Sequence, residues 1–244
     1  MTNKENNDFS QSENSIRKNT EFFRDNISAY NKKVGELDTY QRIFNVVTAE
    51  VAGITNLLDL GNGGVFDYDT SVVKNITGLD LFLDQLPADR KYPENVKLEA
   101  GDALNISKED ETYDGVLMVM LLHHLIGKNV AGCRANLQRA ISEAARVLKP
   151  GGKLVIVESC VPNWFFQLEK LGYTLSVPVV NALLTHPPAF QFTADEILNC
   201  LEANTGGVVK SLPIPKEKYV MQFGFKVPSY LTPVQPYVFV THKA

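Results

Sequence analysis

The chain has 244 residues, of which 44% are hydrophobic, so it is long and apolar enough to bury a sizeable core. Its formal net charge of −4 argues against a protein that binds nucleic acid, because such a surface would carry a basic stripe. The polar N-terminus and the lack of any apolar run of about 18 residues lead us to expect a cytoplasmic protein without membrane contact. The three cysteines, at 133, 160 and 200, are odd in number and widely spaced, which favours core positions over disulfides or a metal site.

The first predicted elements are helical. Residues 1–14 are rich in polar side chains, and we expect them to form a disordered tail. Apolar residues recur at helical intervals over about 15–33 and again over about 37–51, which predicts two leading amphipathic helices. We expect residues 15–52 to form a helical cap on one domain that spans 15–244.

Strand-like and helix-like segments alternate after residue 52. An amphipathic helix is predicted over 136–148 and ends at the turn KPGG. Such alternation predicts an α/β fold with a doubly wound, mostly parallel sheet and helices on both faces. The apolar runs that predict strands are 56–60, 75–81, 96–103, 113–122 and 152–159.

Acidic side chains follow three successive predicted strands. Asp59 ends the first strand at a cluster of glycines, Asp80 ends the second, and Asp102 follows the third. Ligands of parallel sheets bind at the carboxyl ends of the strands, so these acids are expected to meet one ligand.

The same residues indicate which ligand it is. The glycines do not complete G-x-G-x-x-G, since residue 66 is phenylalanine, and an acid beside a pyrophosphate would repel it. The pattern favours a nucleoside that carries a cation and no phosphate. Asp59 suits the α-ammonium of S-adenosylmethionine, Asp80 suits the ribose hydroxyls, and Asp102 suits the adenine amine.

Taken in order, these segments resemble the class I S-adenosylmethionine-dependent methyltransferases of the small-molecule type. The resemblance runs from about Tyr30 to Ser159. It implies a seven-stranded, Rossmann-like sheet whose last two strands, at about 207–213 and 236–241, form an antiparallel hairpin. The stretches that carry it are LLDLGNGG, ITGLDL, EAGDALNI, YDGVLMVMLLHHL and ARVLKPGGKLVIVES.

The resemblance also implies roles for single residues. Val65 stands where the family has its third glycine, and its side chain either reshapes the turn or weakens cofactor binding. The implied cofactor-binding residues are Asp59, Gly61 and Gly63 at the methionine end, Asp80 at the ribose, Asp102 and Ala103 at the adenine, Met118 beside the cofactor, and Tyr30 over it.

Methyl transfer asks little of the protein, because a sulfonium already activates its methyl group. The main requirement is a nucleophile held about 3 Å from the methyl carbon, with a base where the acceptor must lose a proton. We predict that His124 is this base; packing at a helix start is the competing explanation for both His123 and His124. His186 is a further candidate to line the acceptor pocket.

The acceptor is expected to be a small, partly apolar molecule methylated on oxygen or nitrogen. An acceptor-lid insert is predicted at 160–195, and the fourth predicted strand lacks the D/N-P-P-Y signature of enzymes that methylate nucleic-acid bases. Two alternatives remain: a protein that binds S-adenosylmethionine without methyl transfer, and a nicotinamide-dependent enzyme. A homodimer is as compatible with the sequence as a monomer. The aromatic residues expected to form the acceptor chamber are Phe22, Phe23, Trp164, Phe165, Phe166, Tyr173, Phe190 and Phe192.

Overall fold

A computed structural model describes residues 38–83, 86, 90–183, 189–222 and 225–244, without the side chains of 38, 174–183, 221, 222 and 225. The first predicted helix and four of the residues named above, Phe22, Phe23, Tyr30 and His186, lie outside the described residues. Within the part of the chain that is described, no helix combines the length and apolar composition needed to cross a membrane.

Strands and helices alternate through the described residues. The helices are α1 (Asp38–Val51), α2 (Val130–Val147), α3 (Asn163–Leu183) and α4 (Ala194–Thr205). The strands are β1 (Asn56–Leu60), β2 (Asn75–Asp80), β3 (Val96–Ala100), β4 (Tyr113–Val119), β5 (Leu148–Cys160), β6 (Lys210–Pro213), β7 (Tyr219–Gln222), β8 (Phe225–Pro228) and β9 (Gln235–His242). A short 3-10 turn over Leu122–His124, here called the histidine turn, follows β4.

Seven of these strands form one mostly parallel sheet in the order β3-β2-β1-β4-β5-β9-β6, which confirms the predicted fold class. Strands β1 to β5 run parallel, whereas β9 is antiparallel to both β5 and β6. The last two strands of the sheet are neighbours, as predicted, but they are not a simple hairpin. The separate pair β7 and β8 lies between them in the chain, so that part of the prediction was wrong.

The central strands are apolar on both faces because helices cover both. In β1, Leu57 belongs to one buried cluster and Leu58 to the other, and neither is exposed to solvent. The cluster around Leu57 includes Ile43 of α1, and the cluster around Leu58 includes Ile141 of α2. Alternate side chains of one strand therefore enter two cores, which fixes the register of the sheet.

The KPGG segment is not the free turn that the sequence predicts. Strand β5 already begins at Leu148, opposite Tyr113, and the pairing then jumps to Gly115 opposite Lys153. The extra residues form a bulge in which Gly151 takes a φ of +74°. A bulge of this kind bends the strand without ending its pairing.

Candidate functional site

The site is built on residues 61–64, here called the glycine turn, which follow β1. Gly61, Gly63 and Gly64 have φ values of +72°, +55° and +72°, a region that side chains with a Cβ rarely adopt. The Gly61 amide donates to the Leu79 carbonyl of β2 at 2.8 Å, which holds the turn against the neighbouring strand. The turn therefore lies at the carboxyl ends of β1 and β2.

Two glycines of this turn serve different purposes. A Cβ on Gly61 would lie 2.4 Å from the Cδ1 atom of Leu121, so this glycine lets the chain after β4 pack closely. A Cβ on Gly63 would meet nothing within 4 Å. The backbone at Gly63 is thus open to an approaching ligand.

Val65 is accommodated without backbone strain. Gly64, not Val65, takes the left-handed conformation, and the Val65 amide donates to the Asn62 carbonyl at 2.8 Å. The valine side chain lines a cavity of about 40 Å³, large enough for one or two water molecules. The other residues that line this cavity are Asp59, Gly61, Asn62, Asp67, Tyr68 and Val119.

Asp59 is a buried carboxylate at this cavity. Its Oδ2 atom accepts hydrogen bonds from the side-chain Nδ2 of Asn62 at 3.1 Å and from the Tyr68 hydroxyl at 3.2 Å. Burial raises the pKa of its carboxyl from 3.8 to about 7, and the negative charges of Asp67 and Asp80 add to that rise. A bound cation would favour the ionised form of Asp59, so the site suits a positively charged ligand.

Asp80 connects the end of β2 to the glycine turn. Its Oδ2 atom accepts from the Gly63 amide at 2.8 Å and its Oδ1 atom from the Phe82 amide at 2.9 Å. Burial raises the pKa of the Asp80 carboxyl, while these two hydrogen bonds oppose the rise. Each carboxylate oxygen has a second lone pair, so Asp80 can still accept two hydroxyl groups.

The remaining predicted cofactor residues lie at the next strand ends. Asp102 follows β3 and accepts from the Leu104 amide at 2.8 Å, and Ala103 beside it is buried. Met118 is fully buried in the core with Leu60, whereas the next residue of β4, Val119, lines the cavity. The binding roles of these residues stay predictions.

The histidine turn is anchored by a carboxylate that the sequence prediction missed. Glu158, near the end of β5, is fully buried, and its Oε1 atom lies 2.6 Å from Nδ1 of His123. The rings of His123 and His124 lie 4.0 Å apart between centroids. The signal available in the sequence was a single acid in the otherwise apolar run LVIVESC.

A second acid missed by the sequence prediction comes from α3. The Oε1 atom of Glu169 accepts a long hydrogen bond of 3.4 Å from the Gln191 amide. Burial raises the pKa of the Glu169 carboxyl to about 7, and the positive form of His123 opposes that rise. The acids of α3 and β5 therefore approach His123 from two elements.

The aromatic residues of the predicted insert divide between core and surface. Phe190 packs edge to face on Phe166, Tyr173 and Phe192, with ring centroids 5.1 to 5.7 Å apart, and all four are buried. Trp164, by contrast, is 62% exposed. These four rings stabilise α3 and the segment after it. The lid role of residues 160–195 stays a prediction.

Comparison with known proteins identifies the central part of the chain. A family model described as a methyltransferase domain matches residues 58–156. The demethylmenaquinone methyltransferase of Streptomyces avermitilis is 31% identical over 121 residues, which is 48% of each chain. That of Symbiobacterium thermophilum is 26% identical over 176 residues, covering 67% of this chain and 65% of the relative. This chain thus spans about half the length of several curated relatives that it matches.

The fold has a counterpart among solved structures. A SAM-dependent methyltransferase from Methanosarcina mazei superimposes on 81% of this chain and 96% of its own length, with a TM-score of 0.55. The two sequences are 19% identical, so the likeness concerns the fold. It agrees with the seven-stranded sheet described above.

Proposed function

The chain belongs to the class I S-adenosylmethionine-dependent methyltransferases, and on this basis we propose that it transfers a methyl group from S-adenosylmethionine to a small, partly apolar molecule. When bound, this cofactor supplies a methyl group on a positively charged sulfur. An electron pair of the acceptor bonds the methyl carbon, while the carbon–sulfur bonding electrons remain on sulfur. The protein has to bind the cofactor and the acceptor, orient them towards each other and exclude water.

The observation that carries the proposal is the pair of buried carboxylates on neighbouring parallel strands. Asp59 and Asp80 end β1 and β2, and the Gly63 amide joins Asp80 to the glycine turn between them. Two buried carboxylates fit a cationic nucleoside, and the amides of Gly61, Gly63 and Gly64 already donate to groups of the protein, not to a phosphate. In this proposal Asp59 holds the ammonium group and Asp80 the ribose hydroxyls.

The residues after β3 would complete the cofactor site. Asp102 and Ala103 are placed at the carboxyl end of the strand next to β2, where the adenine would follow the ribose along the sheet edge. Gly63 leaves room at the methionine end, whereas Gly61 lets Leu121 pack against the turn and so positions it. Tyr30, predicted to cover the cofactor, remains part of the proposal from sequence.

For the acceptor, we propose a quinone-type ring compound. Both curated relatives described above are named demethylmenaquinone methyltransferases. This name supports methylation of a quinone-type ring at carbon more than the oxygen or nitrogen acceptor that the sequence favours. A ring of this kind is small and partly apolar, in keeping with the apolar residues around α3. His124 stays the base predicted from sequence.

Cofactor binding and methyl transfer are tested separately. Titration calorimetry of the purified chain with S-adenosylmethionine and with NAD should give heat only with the former; binding of NAD alone would refute the proposal. Release of S-adenosylhomocysteine in the presence of a demethylated quinol then tests transfer. Cofactor binding without release from any acceptor would favour the alternative of a protein that binds the cofactor without turnover.

Asp80→Ala provides the matched test of the site. Loss of a charged acceptor for the ribose hydroxyls should weaken cofactor binding by roughly 1–3 kcal/mol. Asp195→Ala is the control, because Asp195 is an exposed acid in the first turn of α4. Equal cofactor affinity in Asp80→Ala and the control would remove Asp80 from the site.

A further inference from the structure

His123 and Glu158 are brought together by the pairing of β4 with β5. The two strands run parallel with Val119 opposite Val157, so the residues that follow them emerge at the same edge of the sheet. His123 follows β4 in the histidine turn, and Glu158 lies one residue beyond Val157. This is the edge at which β1 delivers Asp59, because β4 also pairs with β1.

The Glu158 carboxylate is saturated with donors from this turn and from its own strand. Its Oε2 atom accepts from the Leu122 amide at 2.7 Å and from the His123 amide at 3.3 Å. Its Oε1 atom accepts from the Ser159 amide at 2.7 Å and the Ser159 hydroxyl at 3.2 Å, in addition to the contact with the His123 ring. Such a carboxylate has no freedom to rotate away.

This contact fixes the proton position on the His123 ring. An ionised carboxylate only accepts hydrogen bonds, so Nδ1 must carry the hydrogen that points at Oε1 of Glu158. In the neutral ring, Nε2 then holds the lone pair. His123 is therefore oriented as a base, with one nitrogen anchored and the other able to take a proton.

The histidine turn lies directly beside the glycine turn. Leu121, two residues before His123, fills the space where Gly61 lacks a Cβ. Met120 adopts a φ of +52°, an unfavourable conformation for a residue other than glycine, and its amide donates to the Val157 carbonyl at 2.8 Å. Strain of this kind is retained where the surrounding structure requires a particular chain direction.

We propose that His123, oriented by Glu158, takes the proton from the methyl acceptor, which makes His123 the catalytic base and Glu158 a positioning residue. The inference rests on the proposed function. The bond between this proton and the acceptor breaks with its electron pair kept on the acceptor. An electron pair of the acceptor then bonds the methyl carbon as the carbon–sulfur bonding electrons pass to sulfur. The proton moves to Nε2 of His123 and leaves to solvent after the product departs.

The geometry separates His123 from the neighbouring candidate. The rings of His123 and His124 lie side by side, so distance alone does not decide between them. The carboxylate contact with Glu158 favours His123, because it sets the tautomer and the orientation of the His123 ring. The charged or titratable groups described around His123 are Glu158 of β5, Glu169 of α3 and the adjacent His124.

The central experiment replaces His123 with asparagine. The asparagine amide can still donate to Glu158, so the fold is retained, but the side chain cannot take a proton. We expect turnover to fall by about 100-fold or more, with cofactor affinity in calorimetry unchanged. His242→Asn is the matched control, because His242 is exposed at the end of β9, and its turnover should equal that of the wild type.

Two further measurements separate catalysis from a structural role. In the protein without cofactor, nitrogen–proton NMR of the His123 ring should show hydrogen on Nδ1, and Glu158→Gln should change that tautomer population. The acidic limb of the pH profile of kcat/KM should be present in the wild type and absent in His123→Asn. A purely structural role would leave the limb in place.

The outcomes distinguish failure of the inference from failure of the proposed function. A wild-type protein that binds the cofactor but fails to release S-adenosylhomocysteine with every acceptor tested would refute the proposed function. An active wild type with His123→Asn at the same rate, or a major tautomer with hydrogen on Nε2, overturns the inference. Loss of turnover in His124→Asn with normal turnover in His123→Asn would also overturn it and support the base predicted from sequence.

Discussion

Replacing Asp59 with asparagine should stabilise the folded protein at alkaline pH, although the same change should weaken cofactor binding. Burial, aided by the charges of Asp67 and Asp80, raises the pKa of the Asp59 carboxyl from 3.8 to about 7. Each pKa unit corresponds to about 1.4 kcal/mol, so the ionised side chain lowers the free energy of unfolding by at most about 4 kcal/mol.

The pH window follows from the direction of this shift. The folded protein holds the Asp59 proton more tightly than the unfolded chain does, so stability falls as the pH rises from about 4 towards about 7. Above about pH 7 the free energy of unfolding is lowered by the full amount. Asparagine has nearly the same size and can still accept from Asn62 or Tyr68, but it never acquires the charge.

The assay is urea unfolding followed by circular dichroism at pH 4, 6 and 8, without cofactor. Wild type and Asp59→Asn should be similarly stable at pH 4, and the variant should be about 1–4 kcal/mol more stable at pH 8. Asp195→Asn makes the same chemical change at an exposed position and should give no such gain. Addition of S-adenosylmethionine should then stabilise the wild type more than Asp59→Asn.

Two results would refute the reasoning. A stability difference between Asp59→Asn and wild type that is the same at pH 4 and pH 8 would mean that the charge of Asp59 carries no penalty in the fold. A variant less stable than wild type at pH 8 would mean that the hydrogen bonds from Asn62 and Tyr68 outweigh the burial of the charge.

Further predictions concern Asp59 and the glycine turn that follows it. Cofactor binding near pH 6 should release up to about one proton, because the cationic cofactor favours the ionised form of Asp59. Calorimetry in buffers of different ionisation enthalpy measures this proton release. The Asp59→Asn variant should release fewer protons than the wild type. Gly61→Ala should lower the free energy of unfolding by roughly 1–3 kcal/mol, since its Cβ would meet Leu121 at 2.4 Å. Gly63→Ala, with open space and a φ of +55°, should destabilise less in urea unfolding, and an equal loss in both variants would contradict the packing argument.

The order of elements and the acidic strand ends followed from the sequence alone. Strand and helix are local patterns, set by the spacing of apolar residues, so the alternation from 56 to 160 could be predicted before any contact was known. Parallel pairing then brings successive strand ends to one edge. Asp59 and Asp80 are neighbours at that edge for the reason that the sequence indicates.

Other features depended on contacts between residues far apart in the chain. Glu158 meets His123 across 35 positions, and only the register of β4 against β5 decides which of two adjacent histidines it contacts. The pair β7 and β8 also interrupts the expected hairpin, because strand neighbours in a sheet need not be consecutive in the chain. The apolar run of β5 predicted a strand, but not that its one acid would anchor a neighbouring turn.

The raised pKa of Asp59 shows the same division at one residue. Its place at the end of an apolar strand, before three glycines, was visible in the sequence. The tertiary structure decided how far Asp59 is buried. It also placed Asp67 and Asp80 close enough to disfavour the charge of Asp59. Local patterns determine where a side chain enters the fold, whereas desolvation and charge coupling depend on everything that packs around it.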